Sequence, residues 1–119
     1  MWNTFLGKRL KGFKYAAKGA YMLVREEASI QVQFVISLIM IAAGFYFEIS
    51  ATEWLAQMLA IGLVLSVESL NTAAEAIADF IHPDFHAKIG YIKDIAAGAV
   101  FFAAGIAIIV GCIIYIPKF

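Results

Sequence analysis

Three long apolar segments, separated by short polar links, dominate the chain. They cover roughly residues 30–47, 54–81 and 95–116. A helix needs about 20 apolar residues to cross a hydrocarbon core of about 30 Å. Because a helix satisfies its backbone amides within its own segment, the pattern predicts three transmembrane helices rather than strands. The second segment is longer than one crossing requires, so we expect its C-terminal end to project into water.

A fourth element precedes the first span. Apolar residues recur there every three or four positions, at Leu6, Leu10, Phe13, Ala17, Tyr21 and Val24. Basic residues recur on a different face, at Lys8, Lys11, Lys14, Lys18 and Arg25. This spacing predicts an amphipathic helix over residues 1–27 that lies on the membrane surface. Its basic face either anchors the chain to anionic lipid or, in addition, faces an anionic substrate.

Composition agrees with a small integral membrane protein of the all-α class. Of the 119 residues, 63% are hydrophobic and 15% are charged, whereas a soluble domain has about 45–50% apolar residues. Nine basic and nine acidic side chains cancel, so net charge identifies no partner and gives no support for nucleic-acid binding. The absence of a repeat, a low-complexity tract or a linker predicts one domain over residues 1–119.

The distribution of basic residues predicts the orientation. Six of them precede the first span, the link over residues 48–53 has none, and the link over residues 82–94 holds Lys88 and Lys93. By the positive-inside rule, we expect the N-terminus and the second link to lie in the cytoplasm of a bacterial cell, with the chain in the inner (plasma) membrane.

Four polar residues share one face of the second predicted span. At 100° per residue, Glu68, Asn71, Glu75 and Asp79 project at 0°, about −60°, about −20° and about +20°. A carboxylate within the hydrocarbon region costs at least about 2.5–3.5 kcal/mol, so it is seldom there without a function. The apolar run 55–67 places Glu68 inside the cytoplasmic leaflet, with Glu75 and Asp79 nearer to water.

Such a face suits a reaction that joins a lipid-borne group to a water-borne one. Mg²⁺ prefers a few carboxylate oxygens together with substrate phosphates, and phosphoryl transfer depends mainly on positioning and charge neutralisation. The alternative is a polar contact between helices, with paired or protonated carboxylates. No phosphate-binding loop, dinucleotide fingerprint or soluble-kinase motif occurs in the sequence, so spacing alone indicates only an acidic intramembrane site.

The sequence also resembles a known family, the small prokaryotic diacylglycerol kinases and undecaprenol kinases. The resemblance covers nearly the whole chain, and its strongest stretches are EAS at 27–29, VESLNTAAEAIADF at 67–80, DFH at 84–86 and AKIGYIKDIAAGAV at 87–100. It implies an ATP- and Mg²⁺-dependent lipid kinase that works as a homotrimer, a helical bundle with composite sites between subunits.

The resemblance also implies roles for individual residues. Glu68 matches the catalytic base that activates the lipid hydroxyl, and Asn71 lies beside it. Glu27 and Glu75 match the metal ligands. The positions that match nucleotide-binding residues are Lys8, Tyr15, Asp84, Phe85, His86, Lys93 and Asp94.

Some positions depart from the family pattern. Lys8 stands where some relatives have Arg, which puts a bidentate phosphate contact in doubt. Gln33 replaces an acidic residue of some members. Ala97, at a lipid-binding position, stands where enzymes of Gram-negative bacteria have Ser. Together with GFYFEIS at 44–50 and IPKF at 116–119, this change favours undecaprenol over diacylglycerol as the substrate.

Two non-kinase hypotheses remain open on sequence alone. In one, the acidic face lines an ion or proton path through an oligomer. The half of the second span near Trp54 offers only Gln57 as a strongly polar group, so a continuous path is not evident. In the other, the chain is an assembly subunit whose polar face joins helices.

Overall fold

Four helices account for nearly all of the chain. The computed structural model describes residues 2–84 and 86–119, with side chains from residue 4 onward. The helices are α1 (Trp2–Glu26), α2 (Ala28–Tyr46), α3 (Ala51–Ile81) and α4 (Ala87–Tyr115), followed by a 3₁₀ turn at Ile116–Lys118. Helices α2, α3 and α4 are long and apolar enough to cross a membrane. The all-α prediction is confirmed.

All three apolar helices begin earlier than their apolar segments suggest, α2 by two residues and α3 and α4 by more. Helix α3 begins at Ala51 because Ser50 and Glu53 form a capping box: the Glu53 amide donates to Ser50 Oγ at 3.2 Å and the Ser50 amide donates to Glu53 Oε1 at 2.9 Å. Helix α4 begins at Ala87 instead of near residue 95, since His86 Nδ1 accepts from the Lys88 amide at 3.0 Å. Apolar length estimates the membrane-crossing part, whereas the caps determine where the helix begins.

The turn between α2 and α3 is a Schellman motif. The Ile49 amide donates to the Gly44 carbonyl at 3.1 Å, and the Glu48 amide donates to the Phe45 carbonyl at 3.3 Å. Glu48 occupies the position that favours glycine, with a φ of 51°. The tight turn makes α2 and α3 antiparallel neighbours.

The three apolar helices form a bundle in which α3 packs most extensively against α4 and also against α2. Its buried apolar cluster, made of Ile49, Ile114 and Tyr115, lies at the end that holds the α2–α3 turn. We call this the turn end, and the opposite end, where α3 leads into α4, the link end. The tightest core therefore lies far from the acidic part of α3.

A buried polar network stabilises the turn end. The Tyr115 hydroxyl donates to Gln57 Oε1 at 2.6 Å, and Gln57 Nε2 donates to the Met40 carbonyl at 3.1 Å. These bonds connect α4, α3 and α2. On the surface at the same end, Lys118 forms an ion pair with Glu53 at 3.3 Å.

Helix α1 extends away from the bundle. The chain measures 49 × 48 × 22 Å along its principal axes. Helix α3 has 31 residues and spans about 46 Å at 1.5 Å per residue, so it accounts for one long dimension and leaves the other to α1. The apolar face of α1 is exposed, with Leu10 69% and Phe13 75% accessible. An exposed apolar stripe beside a basic one agrees with the predicted membrane-surface helix.

Candidate active site

The acidic face of α3 runs from the middle of the helix to the link end. Glu68 is buried, with 8% of its surface exposed, whereas Glu75 and Asp79 are exposed. Glu68 Oε2 and Asn71 Oδ1 are both inaccessible and have no hydrogen-bond partner within residues 2–84 and 86–119. The face thus changes from a buried, unsatisfied pair to solvated carboxylates within three turns.

The two unsatisfied oxygens require a donor or a cation. Leaving a buried acceptor without a partner costs about 1–3 kcal/mol, and more for a charged group. Both atoms are acceptors only, apart from a protonated Glu68, and they lie one helical turn apart. A cation can contact both oxygens, whereas a hydroxyl group has one hydrogen and donates to one of them at a time. An alcohol bound here would satisfy one oxygen, and a second donor or a cation would satisfy the other.

An apolar cavity begins one helical turn before Glu68, at Val64, and extends toward the turn end. It has a volume of about 620 Å³ and lies between α2, α3 and α4. Its α3 wall consists of Gln57, Ala60, Ile61 and Val64. At 100° per residue, these positions share the face of Glu68, and Val64 lies about 6 Å from Glu68 along the helix. Glu68 therefore lies one helical turn beyond the end of the cavity's α3 wall.

Helix α4 brings a cation to the acidic face. Lys93 Nζ lies 2.6 Å from Asp79 Oδ1, so the second turn of α4 is joined to the last turn of α3. Asp94 and Ala97 are exposed on α4. Asp79 belongs to the predicted acidic face, but no sequence pattern assigns it a partner, because the pairing depends on how α3 and α4 pack.

The link between α3 and α4 holds three predicted nucleotide contacts. Asp84 and His86 are exposed, and Phe85 lies outside the described residues. Because His86 Nδ1 accepts the Lys88 amide, the neutral ring carries its proton on Nε2, which remains available as a donor. His82 Nδ1 lies 2.7 Å from the Asp84 carbonyl, and the His82 and His86 rings are 5.4 Å apart.

The remaining predicted residues lie on or beside α1. Lys8 and Tyr15 are exposed on that helix, and the half-buried Glu27 occupies the N-cap position of α2 without a side-chain cap bond. Helix α1 packs chiefly against α2. Within one chain, the residues of α1 are therefore separated from the acidic face of α3.

The donor set fits Mg²⁺ without forming a complete cage. In the described part of the chain, no three His, Cys, Asp or Glu side chains are grouped to hold a metal ion. Mg²⁺ usually takes only one or two carboxylates and fills its octahedron with water and substrate phosphates. An exposed carboxylate such as Glu75, one turn from the unsatisfied Asn71 Oδ1, has this character.

Comparison with known proteins identifies the family of the chain. A profile described as prokaryotic diacylglycerol kinase matches residues 14–115. Undecaprenol kinase of Bacillus subtilis (strain 168) is 36% identical over 113 residues, which is 95% of this chain and 92% of that protein. Diacylglycerol kinase of Escherichia coli (strain K12) is 30% identical over 112 residues, or 94% of this chain and 92% of that protein. The chain therefore belongs to the prokaryotic diacylglycerol kinase family and is an integral membrane lipid kinase.

Proposed function

We propose that this enzyme transfers the γ-phosphoryl group of ATP to the hydroxyl of a membrane lipid at the cytoplasmic interface, with Glu68 as general base. One observation carries the proposal: Glu68 Oε2 and Asn71 Oδ1 are buried acceptors without partners in the described residues, and the α3 wall of an apolar cavity ends at Val64, one helical turn before Glu68. A lipid alcohol has both parts that this arrangement lacks, a hydroxyl donor and a hydrocarbon chain.

Glu68 accepts the hydroxyl proton in this reaction. As the proton leaves, the lipid oxygen forms a bond to the γ-phosphorus, the bond from phosphorus to the β,γ-bridging oxygen breaks, and ADP departs. The carboxylate of Glu68 is largely shielded from solvent, so water competes little with the lipid hydroxyl for its oxygens. Asn71 Oδ1 orients a donor beside it.

Other residues hold the nucleotide and the metal. Glu75 and Glu27 would bind Mg²⁺, which supplies charge neutralisation at the phosphates. Lys93 offers its ammonium to the phosphate oxygens. The other nucleotide contacts that we propose are Lys8, Tyr15, Asp84, Phe85, His86 and Asp94.

A complete site requires more than one chain. Lys8, Tyr15 and Glu27 lie on or beside α1, which extends away from the bundle that carries Glu68 and Glu75. A neighbouring copy can supply these residues, so we propose an oligomer with shared sites. The number three, a homotrimer, rests on the family resemblance.

We propose undecaprenol as the substrate, with diacylglycerol as the alternative. The undecaprenol kinase of B. subtilis is the more similar of the two relatives compared above. Ala97 is exposed on the apolar part of α4, so it can contact a lipid. A small apolar residue there suits an isoprenoid chain, whereas a hydroxyl-bearing residue offers a partner to the polar backbone of a glycerolipid.

Membership of a lipid kinase family argues against the ion-path and assembly hypotheses. The structure adds that Gln57, the polar group nearest the turn end on that face, is bonded to Tyr115 and to the Met40 carbonyl. Its polar atoms are thus used within the bundle.

The decisive experiment is phosphate transfer from γ-labelled ATP by the purified protein in mixed micelles. Undecaprenol and diacylglycerol are compared, with and without Mg²⁺, for the wild type and Glu68→Gln. We expect Mg²⁺-dependent labelling of undecaprenol, reduced at least about a hundredfold in Glu68→Gln. Glu53→Gln, which neutralises a carboxylate at the turn end, is the control and should label lipid normally. Normal activity of a folded Glu68→Gln variant would remove Glu68 as the base, and labelling of diacylglycerol alone would overturn the substrate.

A further inference from the structure

Asp79 and Lys93 form the ion pair that joins α3 to α4 at the link end. Their side chains are 60% and 38% exposed, respectively, and Oδ1 and Nζ are 2.6 Å apart. An exposed ion pair of this kind contributes little to stability, because water and salt screen it. Stability alone is therefore a weak reason for the contact. The contact also fixes the position of the Lys93 ammonium.

The pair holds that ammonium beside the proposed metal ligand. Asp79 lies four residues after Glu75, so both project from the same face of α3. The negative charge of Glu75 also acts on Lys93. The ammonium therefore lies where phosphates would meet a Glu75-bound cation.

Lysine gains more than most residues from such a partner. Its flexible four-carbon side chain has many rotamers, and part of this conformational entropy is lost when the ammonium is fixed. A carboxylate that already restrains the lysine side chain reduces the entropy that is lost when the phosphate binds. The ammonium has three N–H donors, so one bond to Asp79 leaves two for phosphate oxygens.

We infer that Asp79 is a positioning residue for the nucleotide: it holds Lys93 so that the ammonium meets the phosphates of ATP. The inference rests on the proposed function, in which Lys93 binds those phosphates. Asp79 itself contacts neither the lipid nor the reacting atoms. Its influence on the reaction passes through Lys93.

The test measures KM for ATP and kcat for lipid phosphorylation in Asp79→Asn, Lys93→Met and the double variant. Asparagine keeps the shape of Asp79 but removes its charge. We expect Asp79→Asn to raise KM for ATP about 5- to 20-fold and to change kcat less than about threefold, since the phosphate contact exists before and during the reaction. In the Lys93→Met background, Asp79→Asn should change KM for ATP less than about twofold, because the ammonium through which Asp79 acts is already absent.

Two further variants separate positioning from structure. Asp79→Glu keeps the charge on a longer side chain and should recover part of the affinity for ATP. Glu53→Gln neutralises the other α3 carboxylate of an interhelical ion pair, at the turn end, and should leave KM for ATP unchanged. The melting temperature of Asp79→Asn should stay close to that of the wild type, as expected for an exposed pair.

Several results would overturn the inference. These are an unchanged KM for ATP in Asp79→Asn or in Lys93→Met, equal effects of Asp79→Asn in both backgrounds, and loss of folding in Asp79→Asn. Each presupposes an active wild type. A wild type that is folded but phosphorylates no lipid would instead contradict the proposed function, so the two failures are distinguishable.

Discussion

Replacing Tyr115 with Phe removes one hydroxyl from the buried network that connects α2, α3 and α4. The lost bond is short, 2.6 Å to Gln57 Oε1, and its two side chains are only 8% and 4% exposed. The hydroxyl also lies 3.2 Å from the Met40 carbonyl. With one hydrogen, it donates to one acceptor at a time, and Gln57 is the nearer.

The magnitude follows from what remains unpaired. In Tyr115→Phe, Gln57 Oε1 stays buried without a donor, which costs about 1–3 kcal/mol in soluble proteins, whereas hydrogen bonds within membrane proteins average about 0.6 and reach about 1.7 kcal/mol. We expect about 1–1.7 kcal/mol, since the bond is short and enclosed. Gln57→Leu should cost less, because the Tyr115 hydroxyl can turn to the Met40 carbonyl, which has just lost Gln57 Nε2 as its donor.

The assay is reversible unfolding in mixed micelles with increasing sodium dodecyl sulfate, followed by tryptophan fluorescence. Both single variants, the double variant and Tyr46→Phe are compared. Tyr46 is 80% exposed, so its hydroxyl should contribute less than about 0.5 kcal/mol. The double variant should be more stable than the sum of the single effects predicts. A larger loss in Gln57→Leu than in Tyr115→Phe, or no loss in Tyr115→Phe, would refute the reasoning.

Three further predictions concern the metal ligands and the turn end. Glu75→Ala and Glu27→Ala should lower activity and raise the Mg²⁺ concentration needed for half-maximal activity; an unchanged metal titration would exclude either residue as a ligand. Gly44→Ala should destabilise the fold by about 1–3 kcal/mol, since its Cβ would lie 2.6 Å from Cη2 and 2.8 Å from Cζ2 of Trp54. Adding Trp54→Phe, which removes those atoms, should recover part of the loss when the same unfolding is followed by circular dichroism, and an undiminished loss would contradict the steric explanation. Glu48→Gly should raise the melting temperature modestly, because the φ of 51° costs an L-residue about 1–2 kcal/mol; a lower melting temperature would show that the Glu48 side chain stabilises the turn.

Periodicity predicts the features that depend on one helix alone. The shared face of Glu68, Asn71 and Glu75 follows from 100° per residue, and three apolar segments of sufficient length predict the three helices. The start of α3 was also readable: Ser50 and Glu53 have the S-x-x-E spacing of a capping box, but the apolar-length criterion placed them in a link. Capping motifs in the sequence thus predict helix ends better than the length of an apolar segment does.

Contacts between helices could not be predicted in this way. Tyr115 and Gln57 are 58 residues apart, and Lys93 and Asp79 are 14 apart. Each pairing depends on the rotation and register of α4 against α3. These in turn depend on how the side chains of both helices pack along their whole interface. A sequence pattern identifies the face that is polar, but only packing decides which polar groups find partners within the chain.

This difference identifies the candidate site more sharply than polarity does. Helix α3 carries polar residues toward both ends. Near the turn end, Glu53 closes a capping box and Gln57 is bonded to Tyr115 and to a carbonyl of α2. Farther along the same helix, Glu68 and Asn71 have buried oxygens without partners in the described chain. An unsatisfied acceptor is costly in a membrane. Glu53 and Gln57 have partners and stabilise the fold, whereas Glu68 and Asn71 need a donor or a cation from a bound ligand.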